Sequence, residues 1–121
     1  MLYIAIRYME TIPNIDVDSN YKLEVHNLIT KSKYDSSVAH RHNYFEVFIF
    51  EKGGGIHNID FTNHTISDYT FQVVFPNQIH LVERELNSYG KVITFSESYF
   101  STLSEEVQSI FNQCFYHEPS L

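Results

Sequence analysis

Alternation between apolar and polar residues dominates the middle of the chain. Across residues 21–30, Tyr21, Leu23, Val25 and Asn27 share one face while Lys22, Glu24 and His26 share the other, as in a half-buried strand. The run Phe45-Glu46-Val47-Phe48-Ile49-Phe50 differs, because Phe45, Val47 and Ile49 line one face and Phe48 and Phe50 the other. A strand apolar on both sides belongs in the middle of a sandwich or barrel. Residues 56–61 alternate again, with His57, Ile59 and Phe61 set against Ile56, Asn58 and Asp60. Residues 69–75 form an aromatic and β-branched strand stopped by Pro76, and residues 80–86 and 91–95 complete the series. Turn chemistry separates them. Lys52-Gly53-Gly54-Gly55 is expected to close a hairpin, with further turns at Thr62-Asn63-His64, Ser67-Asp68, Pro76-Asn77-Gln78 and Asn87-Ser88-Tyr89-Gly90. Short strands at this density predict an all-β antiparallel sandwich or barrel.

At Ser96 the period changes. Ser96 and Ser104 suit helix N-caps, and Glu105 and Glu106 suit a helix's positive end. Leu103, Val107, Ile110, Phe111, Cys114 and Phe115 then recur at helical spacing, a stripe that packs on the sheet or serves as a subunit interface. The chain divides into an arm or tail at 1–20, a β-domain at 21–96 and a helical segment at 97–121. Its end soon after Pro119 suggests a fragment of a longer protein.

The densest chemistry follows a polar lead at residues 31–37. His40-Arg41-His42-Asn43-Tyr44-Phe45-Glu46 places two histidines one residue apart, and alternate residues of a strand share a face. A straight strand would leave Glu46 about 13 Å beyond His42 at ~3.3 Å per residue, too far for one site. Either the chain turns between them or these groups do not share a site; a turn is expected, at Asn43, the residue of that interval most tolerant of turn geometry. A carboxylate beside Phe45, Val47, Phe48 and Ile49 needs a partner: His40, His42, a ligand hydroxyl or a cation. His57 and His64 lie near turns and are expected at the surface. Tyr44, Phe48, Phe71 and Phe75 are candidates for the wall of an apolar pocket.

Composition narrows the functions. A net charge of -7, from eight Lys and Arg against fifteen Asp and Glu, argues against nucleic-acid binding by this segment alone, since phosphate contact needs a basic footprint. Cys114 is the single cysteine, which excludes an internal disulfide and suits a reducing compartment; in the helical stripe it reads as core. The apolar start at residues 1–6 is too short to span a bilayer. A cytoplasmic protein without membrane association is expected.

His40, His42, Glu46 and Gly53 fit the first motif of the cupins, HxHxxxE followed after six residues by Gly, with Tyr34 in place of the upstream glycine. The second motif, PxGxxH, appears as Pro76-Asn77-Gln78-Ile79-His80, with Gln78 at the glycine position and the histidine one residue early; Arg84 stands where asparagine is usual. Taken with Gly53 through Asp60-Phe61 and Gly90-Lys91-Val92-Ile93-Thr94-Phe95-Ser96, the order resembles the amino-terminal sensing domain of AraC-family transcription regulators, over roughly residues 21–103. The resemblance implies a cupin double-stranded β-helix, or jelly-roll barrel, with a C-terminal helix and no catalysis of its own. It implies a small-molecule effector, such as a sugar, bound by residues from the set His40, His42, Tyr44, Glu46, Phe48, Gln78 and His80. It also implies a homodimer through the C-terminal helix, and DNA binding only through a helix-turn-helix domain absent from this sequence. No cofactor is required by that reading, yet His40, His42, Glu46 and His80 would form a three-histidine, one-carboxylate set for Zn, Fe, Mn or Ni. That set makes a small metal-dependent cupin enzyme, a dioxygenase or isomerase, the runner-up. The plainer alternative has the histidines shaping a pocket through hydrogen bonds to Glu46 and backbone. The early position of His80 is a further concern, since one residue of shift along a strand reverses its face.

Overall fold

The computed structural model describes residues 14–16, 22–29 and 38–116. Expectations for the rest of the arm, for the lead at 31–37, for the Phe115 side chain and for residues 117–121 fall outside them. The described chain is mostly β, as the alternation predicts, followed by short helices. Its strands are β1 (Asn14–Ile15), β2 (Leu23–Leu28), β3 (Arg41–His42), β4 (Tyr44–Lys52), β5 (Gly55–Ile59), β6 (Thr62–Thr65), β7 (Thr70–Val74), β8 (His80–Arg84) and β9 (Tyr89–Ser96); the helices are α1 (Glu97–Phe100) and α2 (Glu105–Tyr116). Among the described residues, no helix is long and apolar enough to cross a membrane.

One sheet has the order β2-β9-β4-β7, a second has β6-β5-β8, and β1 runs parallel to β3. The doubly apolar β4 sits inside the first sheet, antiparallel to both β9 and β7. Its two faces feed two cores. Phe48 and Phe50 pack with Leu28, Val74 and Val92 of their own sheet and with Val82 and Ile66 from the facing side. Phe45, on the other face, packs with Val73, Phe75 and Phe95, and Phe100, Phe111 and Cys114 from the helical segment cover that cluster. Fully burying side chains of this size stabilises by about 1.5–3 kcal/mol each, so β4 anchors both layers.

Three expectations are corrected. The glycine segment is a crossover and not a hairpin, since β4 and β5 lie in different sheets. Gly55 is fixed there by its φ of +104° and by the Glu83 carbonyl, which a Cβ would approach to 2.0 Å. Thr62-Asn63-His64 is strand; the turn falls one step earlier, at Asp60 and Phe61, both with positive φ, and Ile59 pairs with Thr62 across it. That is the two-residue loop whose twist suits a hairpin. Strand β2 is more open than a half-buried strand: Leu28 is buried, whereas Leu23 and Val25 are exposed.

Ser96 caps α1 by accepting from the Tyr99 amide, and Ser104 accepts from the Val107 amide at the start of α2. Phe111 and Cys114 of the apolar stripe face the outer core, while Ile110 remains 60% exposed. Burial raises the Cys114 thiol pKa, which keeps it protonated and unreactive.

Candidate metal centre

The chain bends at Asn43, between β3 and β4. That bend closes the gap a straight strand would leave, and His42 Nε2 lies 2.5 Å from Glu46 Oε1. The segment is also held from the opposite side. His40 and His80 exchange backbone hydrogen bonds of 3.1 and 2.9 Å, and the Asn77 amide donates to the His42 carbonyl at 2.7 Å.

His80 points inward although it arrives one residue early. The strand parity that would reverse it does not run through the preceding turn, where Asn77 adopts φ 69°; β8 begins at His80 itself. Asp60 fixes this turn by accepting from the Ile79 amide at 3.0 Å and from Gln78 Nε2 at 2.9 Å, while Gln78 Oε1 accepts from the Phe75 amide. Gln78, expected among the ligand-binding residues, therefore has its amide engaged in holding the turn that presents His80.

His40, His42, Glu46 and His80 each offer one ligand atom, and these atoms all lie within 4.8 Å of one another. His42, Glu46 and His80 are buried and His40 is half-buried at the rim. The outward ring nitrogens are committed to the backbone: His42 Nδ1 donates to the Tyr44 carbonyl at 2.8 Å and His40 Nδ1 to the Val38 carbonyl at 3.3 Å. A neutral imidazole that donates through Nδ1 leaves a bare lone pair on Nε2. His42 Nε2 and His80 Nε2 lie 3.1 Å apart, and each also faces Glu46 Oε1. Acceptors this close need a positive charge among them, either a proton or a metal ion. Glu46 Oε2 is buried with no hydrogen-bond partner, a costly state for a carboxylate oxygen unless a cation serves it. The donor set and this orphaned oxygen fit a divalent transition metal.

Burial alone would raise the Glu46 carboxyl, but its hydrogen bonds and charge interactions with the His42 and His80 imidazoles overcome it and hold the group at about 2. Burial lowers the pKa of His40, helped by the neighbouring His80 charge. Around the cluster, the Tyr44 ring stacks on His42 at 4.0 Å, and the Phe48 ring meets His80 at 6.0 Å. Phe71 lies on the opposite face of the first sheet, beside a cavity of about 310 Å³ lined with Val47, Ile49, Val73, Ile110 and Phe111. Phe75 belongs to the outer core.

His57 corrects the surface assignment. It is fully buried; its Nε2 lies 3.0 Å from His80 Nδ1 and its Nδ1 lies 2.8 Å from Gln72 Oε1. Burial pushes its pKa down to about 3, with the His80 charge adding to the effect, so the ring is neutral at ordinary pH. A signal for this was present in the alternation, which puts His57 in phase with the apolar Ile59. His64, paired with His57 across β5 and β6, is half-buried.

No protein-family model matches this chain, and no curated protein matches it. Among solved structures, the plu4264 protein from Photorhabdus luminescens is similar at 13% identity, over 83% of this chain and 90% of its own, with a TM-score of 0.39.

Proposed function

We propose that the chain is a jelly-roll sensing module of an AraC-type transcription regulator, and that His40, His42, Glu46 and His80 hold a divalent transition-metal ion at its effector site. The observation that carries the metal assignment is the convergence of four ligand atoms within 4.8 Å on a buried carboxylate oxygen that lacks a partner. The regulator assignment is supported by the order of the motifs around His40, Gly53, His80 and Ser96. In this reading the ion supplies a Lewis-acidic anchor for an oxygen-bearing effector, and Tyr44 and Phe48 shape its surroundings. Effector binding biases how an attached DNA-binding domain is presented, and the exposed Ile110 edge of α2 joins two copies. The chain works in the cytoplasm.

A second reading, a metal-dependent cupin enzyme, is favoured by the same donors, since four protein ligands leave coordination positions free on a six-coordinate ion. Stripping the protein with a chelator and reloading it with Zn, Mn, Fe or Ni tests the shared premise. One ion per chain and a raised melting temperature are expected, because a ligand at a hundredfold excess over Kd stabilises by about 2.7 kcal/mol. Failure of every one of these ions to bind stoichiometrically overturns the metal site. Screening small metabolites against the loaded protein then separates the readings: saturable binding without turnover supports the sensor, and turnover supports the enzyme.

A further inference from the structure

Behind the four candidate ligands lies a line of buried side chains that the metal site does not itself require. Gln72 is buried on β7, and its Nε2 donates to the Thr65 carbonyl at 3.2 Å. This fixes which end of the amide is which, because the flipped form would set carbonyl oxygen against carbonyl oxygen. Gln72 Oε1 must then face His57, and it can only accept, so the proton at that 2.8 Å contact belongs to His57 Nδ1. With its proton committed there, a neutral His57 has a bare Nε2. That atom lies 3.0 Å from His80 Nδ1 and can only accept from it. His80 thus carries its proton on Nδ1 and turns Nε2 towards His42 and Glu46, 3.1 Å from each.

We infer that His57 is a positioning residue that, through Gln72 and the Thr65 carbonyl, fixes the tautomer of His80 and so reserves His80 Nε2 for the ion. The inference rests on the metal site proposed above for its consequence, but the direction of the hydrogen bonds holds with or without an ion. The three histidines expected as ligands are each oriented by a different acceptor: His40 by a carbonyl two residues before it, His42 by a carbonyl two residues after it, and His80 by a side chain from another strand. Only the last can be removed by substitution without touching a ligand. The Phe48 ring stands edge-on to His57 at 4.8 Å, closing the apolar side of the relay. Outer partners of this kind typically change metal affinity by about 10–100-fold when removed.

The test is nitrogen-detected NMR of the imidazoles, in chelator-treated protein and after zinc loading, with zinc affinity measured by competition. In the wild-type protein His80 Nδ1 is expected to carry a proton donated to His57 in both states. His57→Leu is expected to release that preference and weaken zinc binding by about 10–100-fold, with a cobalt-loaded sample keeping its ligand-field spectrum because the ligands are unchanged. Gln72→Leu provides the same readout one step back, should His57→Leu fail to fold. An unprotonated His80 Nδ1 in the wild-type protein overturns the inference, as does zinc affinity unchanged in both variants. A protonated Nδ1 in a protein that binds no divalent ion supports the relay and removes the metal site instead.

Discussion

His57 Nε2 sits 3.0 Å from His80 Nδ1, across the imidazole from the ring nitrogen that lies 3.1 Å from Glu46 Oε1. One buried histidine therefore backs another. The side of the cluster away from β3 is organised by the second sheet, through His57 and His80, and the near side by the bend at Asn43. Neither sheet alone assembles the site.

Acid should destabilise the metal-free protein in two overlapping stages. The His57 pKa is near 3 in the folded chain against an ordinary 6.5. Between those values the unfolded chain binds a proton that the folded chain does not, so stability is complete above about 6.5 and falls as pH drops towards 3. Glu46, near 2 against 4.5, acts in the same direction: its contribution is present above about 4.5 and is lost towards 2. Urea melts across this range should show both stages in the wild-type chain. His57→Leu should weaken the upper one, leaving the smaller part that His40, also lowered by burial, contributes.

Removing the carboxylate tests the centre of the cluster. Glu46→Gln preserves shape but leaves His42 and His80 without their anion in a buried site. Removing one partner from a buried, hydrogen-bonded pair costs about 3–5 kcal/mol, and a loss towards the lower end of that range is expected. Denaturant midpoints measured in chelator should show it. Stoichiometric metal uptake should disappear in the same variant; retention of both stability and uptake would exclude Glu46 from the site.

Much of this arrangement was legible in the chain. His40, His42 and Glu46 stand out by type and spacing and His80 by type, and the length of an extended strand means that Glu46 can join the histidines only if the chain bends near Asn43. Pairing partners were less accessible. The glycines after Lys52 look like a hairpin because local turn chemistry cannot report that β4 finds β9 and β7 instead of β5, a choice made by burial of Phe45, Phe48 and Phe50 on two faces. His57 reads as a surface residue for a related reason: its nearness to a turn masks its phase with Ile59. Gln72 carried no signal, since its role depends on Thr65 and His57 meeting it from other strands.

The turn before His80 should matter more than its exposure suggests. Asp60 accepts from the Ile79 amide and from Gln78, and it does so with φ 48°. Asp60→Gly tolerates that backbone conformation while deleting both acceptors, so the change isolates the hydrogen bonds. A loss of about 1–2 kcal/mol is expected, mostly from the partly buried Ile79 contact. Because the same turn delivers His80, zinc affinity measured by competition should fall by roughly tenfold, as for other groups that orient a ligand. A stability loss with unchanged affinity would show that β8 holds His80 without help from the turn.

Association through α2 makes the last prediction. Among the described side chains of this helix, Phe111 and Cys114 pack on the outer core, whereas Val107 is 37% and Ile110 60% exposed. Ile110 also borders the apolar cavity against Val47 and Phe71. An apolar edge beside an apolar hollow is what a second copy would cover, and a charge there would have to be desolvated on association. Ile110→Glu should therefore convert the proposed dimer to monomer in sedimentation velocity, weakening association by at least tenfold, while its far-ultraviolet circular dichroism and metal stoichiometry stay as in the parent chain. Since Ile110 is already mostly in solvent, the folded monomer should lose less than about 0.5 kcal/mol. A parent chain that sediments as a monomer at high micromolar concentration would remove the helix-mediated dimer, without bearing on the His–Glu cluster.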